Sequence, residues 1–140
     1  MKNQDLLQGS CLCRSICFSL SGGITSVRYC HCSHCRKFAG TSPAAWGMAE
    51  TANLTITTSK NQVGKFNSGR GIRCFCTNCG SPLWFASIEY PQIIAIPLGV
   101  LDNDQLPAPE QHIWTQSKAS WCCINDKLPQ HPTYPESAQE

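Results

Sequence analysis

The chain reads as a small all-β domain of many short strands, with at most one or two short helical turns. Two observations predict this class: apolar and polar residues alternate over short runs, and turns rich in glycine, asparagine or serine separate those runs. A third observation is that 41% of the chain is hydrophobic but 11 of its 140 residues are cysteine, so the aliphatic core is thin and something besides apolar burial must support it.

The strands follow in order. Ile16, Phe18 and Leu20 alternate within residues 15–20, Leu54 and Ile56 within 53–58, and Ile94 and Ile96 make a third pair. Each such run turns one apolar face to a core. Ala45 to Met48, Phe66 near Val63, and Trp84 with Phe85 after Pro82 add three more, with turns at Gly22-Gly23 and Asn67-Ser68-Gly69. Residues 33–39 are the one helical stretch, about two turns long, with Ser33 as its cap and Gly40 as the left-handed residue that ends it. Trp46, Trp84, Trp114 and Trp121 are expected mainly in the core, with a pocket wall as the other use.

From Leu128 onward Pro129, Pro132 and Pro135 recur and residues 137–140 are polar. The expected organisation is one domain over 1–129 and an extended or disordered tail over 130–140.

Eleven Lys and Arg against nine Asp and Glu leave a net charge of +2, which offers no phosphate-binding footprint and argues against nucleic acid. No apolar run approaches membrane-spanning length, and residues 1–8 lack a signal-peptide core, so the expectation is a cytoplasmic protein without a membrane partner. In such a reducing compartment, dense cysteine means metal ligation more often than disulfides.

The cysteines fall into clusters with ligand spacing: Cys11-Leu12-Cys13, Cys30-His31-Cys32-Ser33-His34-Cys35, and Cys76-Thr77-Asn78-Cys79-Gly80. Residues two apart on a strand share a face, so a C-x-C pair reaches one ion without distortion. A C-x-x-C turn brings two sulfurs to one ion, and Gly80 relieves the backbone. Cys11, Cys13, Cys76 and Cys79 therefore make a closed tetrahedral zinc site from opposite halves of the chain. Cys30, Cys32 and Cys35 offer three sulfurs and an open fourth position, the arrangement of catalytic zinc. The competing reading is a second closed site, with His34 as the fourth ligand to test, since His31 points away if the segment is extended. Cys17, Cys74, Cys122 and Cys123 lack complementary spacing and read as structural thiols, although Cys74 could compete for the first ion.

In Gly9-Ser10-Cys11-Leu12-Cys13, in Cys30 through Lys37 with Gly40, and in Arg73 with Phe75-Cys76-Thr77-Asn78-Cys79-Gly80-Ser81 and Leu83, the chain resembles the glutathione-dependent formaldehyde-activating enzyme family. That family shares its domain with the centromere protein V group and has an Mss4-like β fold. The resemblance implies two zinc ions per chain, structural on Cys11, Cys13, Cys76 and Cys79, and functional on Cys30, Cys32 and Cys35. It also implies a carbon-sulfur lyase-type activity on thiol adducts, with glutathione and formaldehyde giving S-hydroxymethylglutathione. Arg36 and Lys37 could hold glutathione's carboxylates; an ordinary solvated pair on a short helix is the alternative. Two other classes stay open: a non-catalytic zinc-stabilised binding module, and a redox or metal-buffering thiol site.

Overall fold

A computed structural model describes residues 6–58 and 60–135. The sequence readings of residues 1–5 and of the polar end at 136–140 lie outside the described residues. Ten strands are described: β1 (Leu6–Ser10), β2 (Cys17–Ser21), β3 (Ser26–Cys30), β4 (Ala44–Glu50), β5 (Leu54–Ile56), β6 (Val63–Asn67), β7 (Gly71–Cys76), β8 (Pro82–Ser87), β9 (Ile93–Pro97) and β10 (Gln111–Ile113). The one α-helix among the described residues, α1, is Ser33–Ala39, and single 3-10 turns fill some of the connections. The all-β expectation holds.

The strands form two sheets. One has three strands in the order β1-β2-β5; the other has seven, β10-β3-β4-β9-β8-β7-β6, antiparallel except where β10 runs parallel to β3. Alternation assigns the two faces of the larger sheet different jobs. Cys74, Trp84, Ile94 and Ile96 face the small sheet and pack with its Leu7, Phe18 and Leu20 into the main core. Phe18 meets Trp84 edge-on at 5.4 Å between ring centroids, across the two sheets. Trp46, Met48, Phe85 and Ala95 face the other way, into a second, smaller cluster with Cys30, Cys35 and Phe38.

Four strands escape the sequence reading: β1, β3, β7 and β10. In β3 (Ser-Val-Arg-Tyr-Cys) and β7 (Gly-Ile-Arg-Cys-Phe-Cys) arginine and cysteine occupy inward positions, so the polar-apolar alternation is masked. Strand β10 has only three residues. Beyond the expected domain end, the chain runs alongside β10: the Pro129 and Thr133 carbonyls accept from His112 and Trp114 N–H groups at 2.8 and 3.0 Å, and His131 N–H donates to the His112 carbonyl at 2.9 Å. Prolines cannot donate, but their carbonyls still accept.

Candidate metal centres and their cleft

Cys11 and Cys13 sit in the turn that leaves β1, and Cys76 and Cys79 sit at the end of β7 and in the following turn, where Gly80 adopts φ +83°. The four sulfurs lie within 4.8 Å of one another. Cys13 Sγ is 3.6 Å from Cys11 Sγ and 3.9 Å from Cys76 Sγ. A tetrahedron with metal–sulfur bonds of 2.3 Å has edges of about 3.8 Å, so these separations fit one zinc-sized ion.

Backbone N–H groups already aim at the sulfurs: Ile16 at Cys11 Sγ (3.3 Å), and Asn78 and Cys79 at Cys76 Sγ (3.3 and 3.4 Å). Such donors stabilise thiolates and orient ligands. The Ser15 hydroxyl and the Asn78 side-chain amide, at 3.1 and 3.2 Å, bring the Cys13 thiol down to about 7. Leu12 N–H also donates to Ser81 Oγ at 2.9 Å, so the cluster ties the small sheet to the large one.

The second cluster comprises Cys30 at the end of β3, Cys32 and Cys35, again with sulfurs within 4.8 Å. The cap of α1 is Cys32 rather than the expected Ser33: its Sγ accepts from Cys35 N–H at 3.3 Å. Cysteine takes the place of a capping hydroxyl because its sulfur is held there by the cluster. Gly40 ends the helix at φ +73°, as expected. The three thiols are too close to ionise independently. Hydrogen bonds from Cys30 and Cys35 push the Cys32 thiol down, while contacts with Cys32 and Cys35, and then burial, push Cys30 up. Three thiolates here need a cation, and the donor set, all sulfur, fits zinc.

His34 is exposed and outside the sulfur cluster, although it lines the adjoining cavity. His31 is fully buried and turns to the opposite side, where its Nε2 meets His112 Nδ1 at 2.8 Å. Among the described residues, the second cluster therefore offers three candidate ligands.

A cavity of about 250 Å³ opens on these sulfurs, lined by Cys30, Cys32 and Cys35 together with Trp46, Phe85, Arg73 and Trp114. Met48, Arg70, Phe85, Ala95 and Tyr134 also line an outer groove of about 780 Å³, so the two spaces join. Of the four tryptophans, Trp46 and Trp114 wall this cleft, Trp84 is in the main core, and Trp121 is 68% exposed.

Arg36 and Lys37 do not line either space: Arg36 donates to the Ser117 carbonyl at 3.2 Å and Lys37 is exposed, both in the last turn of α1 where cations suit the helix dipole. The cations along the cleft are Arg28, Arg70 and Arg73. Arg73 belongs to a motif quoted above, but nothing in its spacing showed that it would point into a cavity. Cys17, Cys74, Cys122 and Cys123 stay outside both clusters, and Cys74 is buried in the main core, where desolvation raises its thiol.

Fold and site together define a small all-β protein with two cysteine clusters able to hold metal ions, one closed and one opening on a cleft. The glutathione-dependent formaldehyde-activating enzyme family model matches residues 6–117, and the chain belongs to that family. A Halomonas elongata protein named "Putative glutathione-dependent formaldehyde-activating enzyme" is 27% identical over 130 residues, covering 87% of this chain and 83% of its own. A Schizosaccharomyces pombe protein named as an uncharacterized lyase is 30% identical over 80 residues, 56% of each chain. A crystal structure of a Rhodobacter sphaeroides protein superposes with a TM-score of 0.60 at 20% identity, over 70% of this chain and 90% of the other, and shares the fold.

Proposed function

We propose that the chain is a zinc-dependent carbon-sulfur lyase-type enzyme that joins a thiol, glutathione in the family's reaction, to formaldehyde, and cleaves the same adduct in reverse. The observation that carries this reading is the three-sulfur cluster of Cys30, Cys32 and Cys35 opening on a cavity, while Cys11, Cys13, Cys76 and Cys79 gather in a separate four-sulfur cluster.

When bound at the three sulfurs, zinc would hold a substrate thiol in its thiolate form at an open position. An all-sulfur site carries more negative charge than a histidine site, which favours thiol chemistry over hydroxide generation. Trp46, Phe85 and Trp114 give the cavity apolar walls that limit water around the reacting sulfur. The net reaction balances simply: the sulfur bonds to the carbonyl carbon, the C=O π pair moves to oxygen, and the proton lost from sulfur ends on that oxygen. The protein's task is to lower the thiol's proton affinity and hold its sulfur facing the aldehyde.

Exchange NMR of formaldehyde with glutathione, with and without zinc-loaded protein, tests this reading. Acceleration that disappears in Cys35→Ala is expected. A rate equal to the spontaneous one in both proteins removes formaldehyde activation as the function.

A further inference from the structure

We propose that Arg73, with Trp46, forms a carboxylate clamp in the cavity, and that the substrate is therefore an anionic thiol with a carboxylate within reach of its sulfur. The sulfur half of this assignment rests on the thiol reading above; the carboxylate half does not.

Arg73 is 7% exposed, yet its Nη1 is buried without a hydrogen-bond partner, and its Nε donates to Ser68 Oγ at 3.3 Å. The guanidinium lies over two rings, 4.6 Å from Phe85 and 5.3 Å from Phe38, which fix its orientation. Phe85 is its direct cross-strand partner from β8, so register alone places the pair on the cavity face. No Asp or Glu lines the inner cavity among the described residues. A buried cation with a free N–H and no acid partner is costly unless something else meets it. The Cys32 and Cys35 thiols feel its charge, but no sulfur accepts a hydrogen bond from Nη1, so that donor stays unmatched.

Trp46 repeats the pattern. It is 4% exposed, lines the same cavity, stacks on Phe38 at 6.4 Å, and its Nε1–H is buried and unpartnered. Arg28, cross-strand from Trp46 and lining the outer groove, leaves its Nε unpartnered as well. Every unsatisfied group on these cleft-lining residues is a donor. A carboxylate accepts without donating, so it is the ligand group complementary to this set. Arg70, held 5.2 Å over the Trp114 ring, adds positive charge where the two spaces join. A small mercapto acid fits the inner cavity, and a larger acidic thiol extends along the outer groove, where Arg28 and Glu89 offer both signs of charge.

Calorimetric titration of the zinc-loaded protein with 3-mercaptopropionate, 2-mercaptoethanol and ophthalmate, the glutathione analogue with methyl in place of the thiol, tests the clamp. Wild type is expected to bind 3-mercaptopropionate roughly 10- to 100-fold tighter than 2-mercaptoethanol, the worth of a hydrogen bond to a charged group. Arg73→Gln should abolish that preference, with a clearly larger loss for 3-mercaptopropionate than for 2-mercaptoethanol. Trp46→Phe, which keeps the ring and removes only the donor, should reduce the preference several-fold and decides the matter if Arg73→Gln does not fold. Equal affinity of the two thiols for wild type, or an equal loss for both in Arg73→Gln, overturns the clamp and makes Arg73 only a support for the cysteine cluster. Ophthalmate binding that depends on Arg73, with no binding of 2-mercaptoethanol, upholds the clamp and removes the thiol reading. Binding of 2-mercaptoethanol without ophthalmate or any carboxylate preference does the reverse, and absence of all binding removes both.

Discussion

His31 Nε2 and His112 Nδ1 meet at 2.8 Å, in a pair of rings that are 0% and 2% exposed. His112 Nε2 is 3.0 and 3.1 Å from the two oxygens of Asp126, and Tyr29 stacks on the His112 ring at 5.0 Å. The carboxylate accepts from His112 Nε2–H, which leaves His112 Nδ1 as an acceptor and makes His31 Nε2 the donor, an assignment drawn from the hydrogen-bond network. Burial, with the nearby His112, lowers the proton affinity of His31 and keeps it neutral. Its ring thus anchors the segment between Cys30 and Cys32 from the side away from the cleft.

Replacing His112 by Leu should strand the His31 donor in the interior and cost about 1–3 kcal/mol, the usual penalty for an unsatisfied buried group. Urea unfolding of His112→Leu against wild type measures it. Because His31 separates two ligands, metal should also leave the Cys30 cluster of this variant before it leaves the Cys11 cluster.

Elemental analysis should find two zinc ions per chain in freshly purified protein, and one in Cys35→Ala. Cys76→Ser should also lose one, with a heavier effect on folding: that centre joins the two sheets, and metal-binding free energy at a structural site is folding free energy. A loss of several kcal/mol is expected, a large share of a total stability of roughly 5–15 kcal/mol. One zinc in both wild type and Cys35→Ala would show that the Cys30 cluster does not retain metal.

Asp126 has its carboxyl held below the ordinary value of 3.8 by the Leu128 N–H, 3.0 Å away, and by His112. A carboxyl lowered in the folded state contributes stability that is present above its unfolded value and is lost as the pH falls through the folded one. Stability curves of wild type and Asp126→Asn should therefore differ at neutral pH and converge below about pH 4. Thermal melts across that range measure the difference, and a gap that widens on acidification would contradict the assignment.

Gly71 opens β7, where an added Cβ would meet the backbone oxygen of Ala86 and the Phe85 ring. Backbone on the neighbouring strand cannot swing aside, so Gly71→Ala should cost about 1–3 kcal/mol by overpacking. The shift of Phe85 should also disturb the ring stack on Arg73, which near-ultraviolet circular dichroism and the mercapto-acid titration can follow together.

The two cysteine clusters were legible in the chain because ligand spacing is a local property. C-x-C and C-x-x-C constrain two or three consecutive peptide units, whatever surrounds them. Helix α1 was legible to its last residue for the same reason, from Gly40, while its cap was misassigned because Cys32 serves the cluster and the helix at once. Strand β3 was missed where Arg28 and Cys30 broke the apolar pattern that marks a buried face, and β7 where Arg73, Cys74 and Cys76 did.

By itself, then, the sequence determined the all-β class, one short helix, and which cysteines belong together, because alternation, turn residues and ligand spacing act over a few residues. Tertiary structure alone decided that Arg73 and Trp46 line one cavity with Cys30, Cys32 and Cys35, that His31 pairs with His112, and that Arg36 and Lys37 stand outside the cleft. Those relationships depend on strand order and register between segments far apart in the chain, and the same local patterns are compatible with many such pairings.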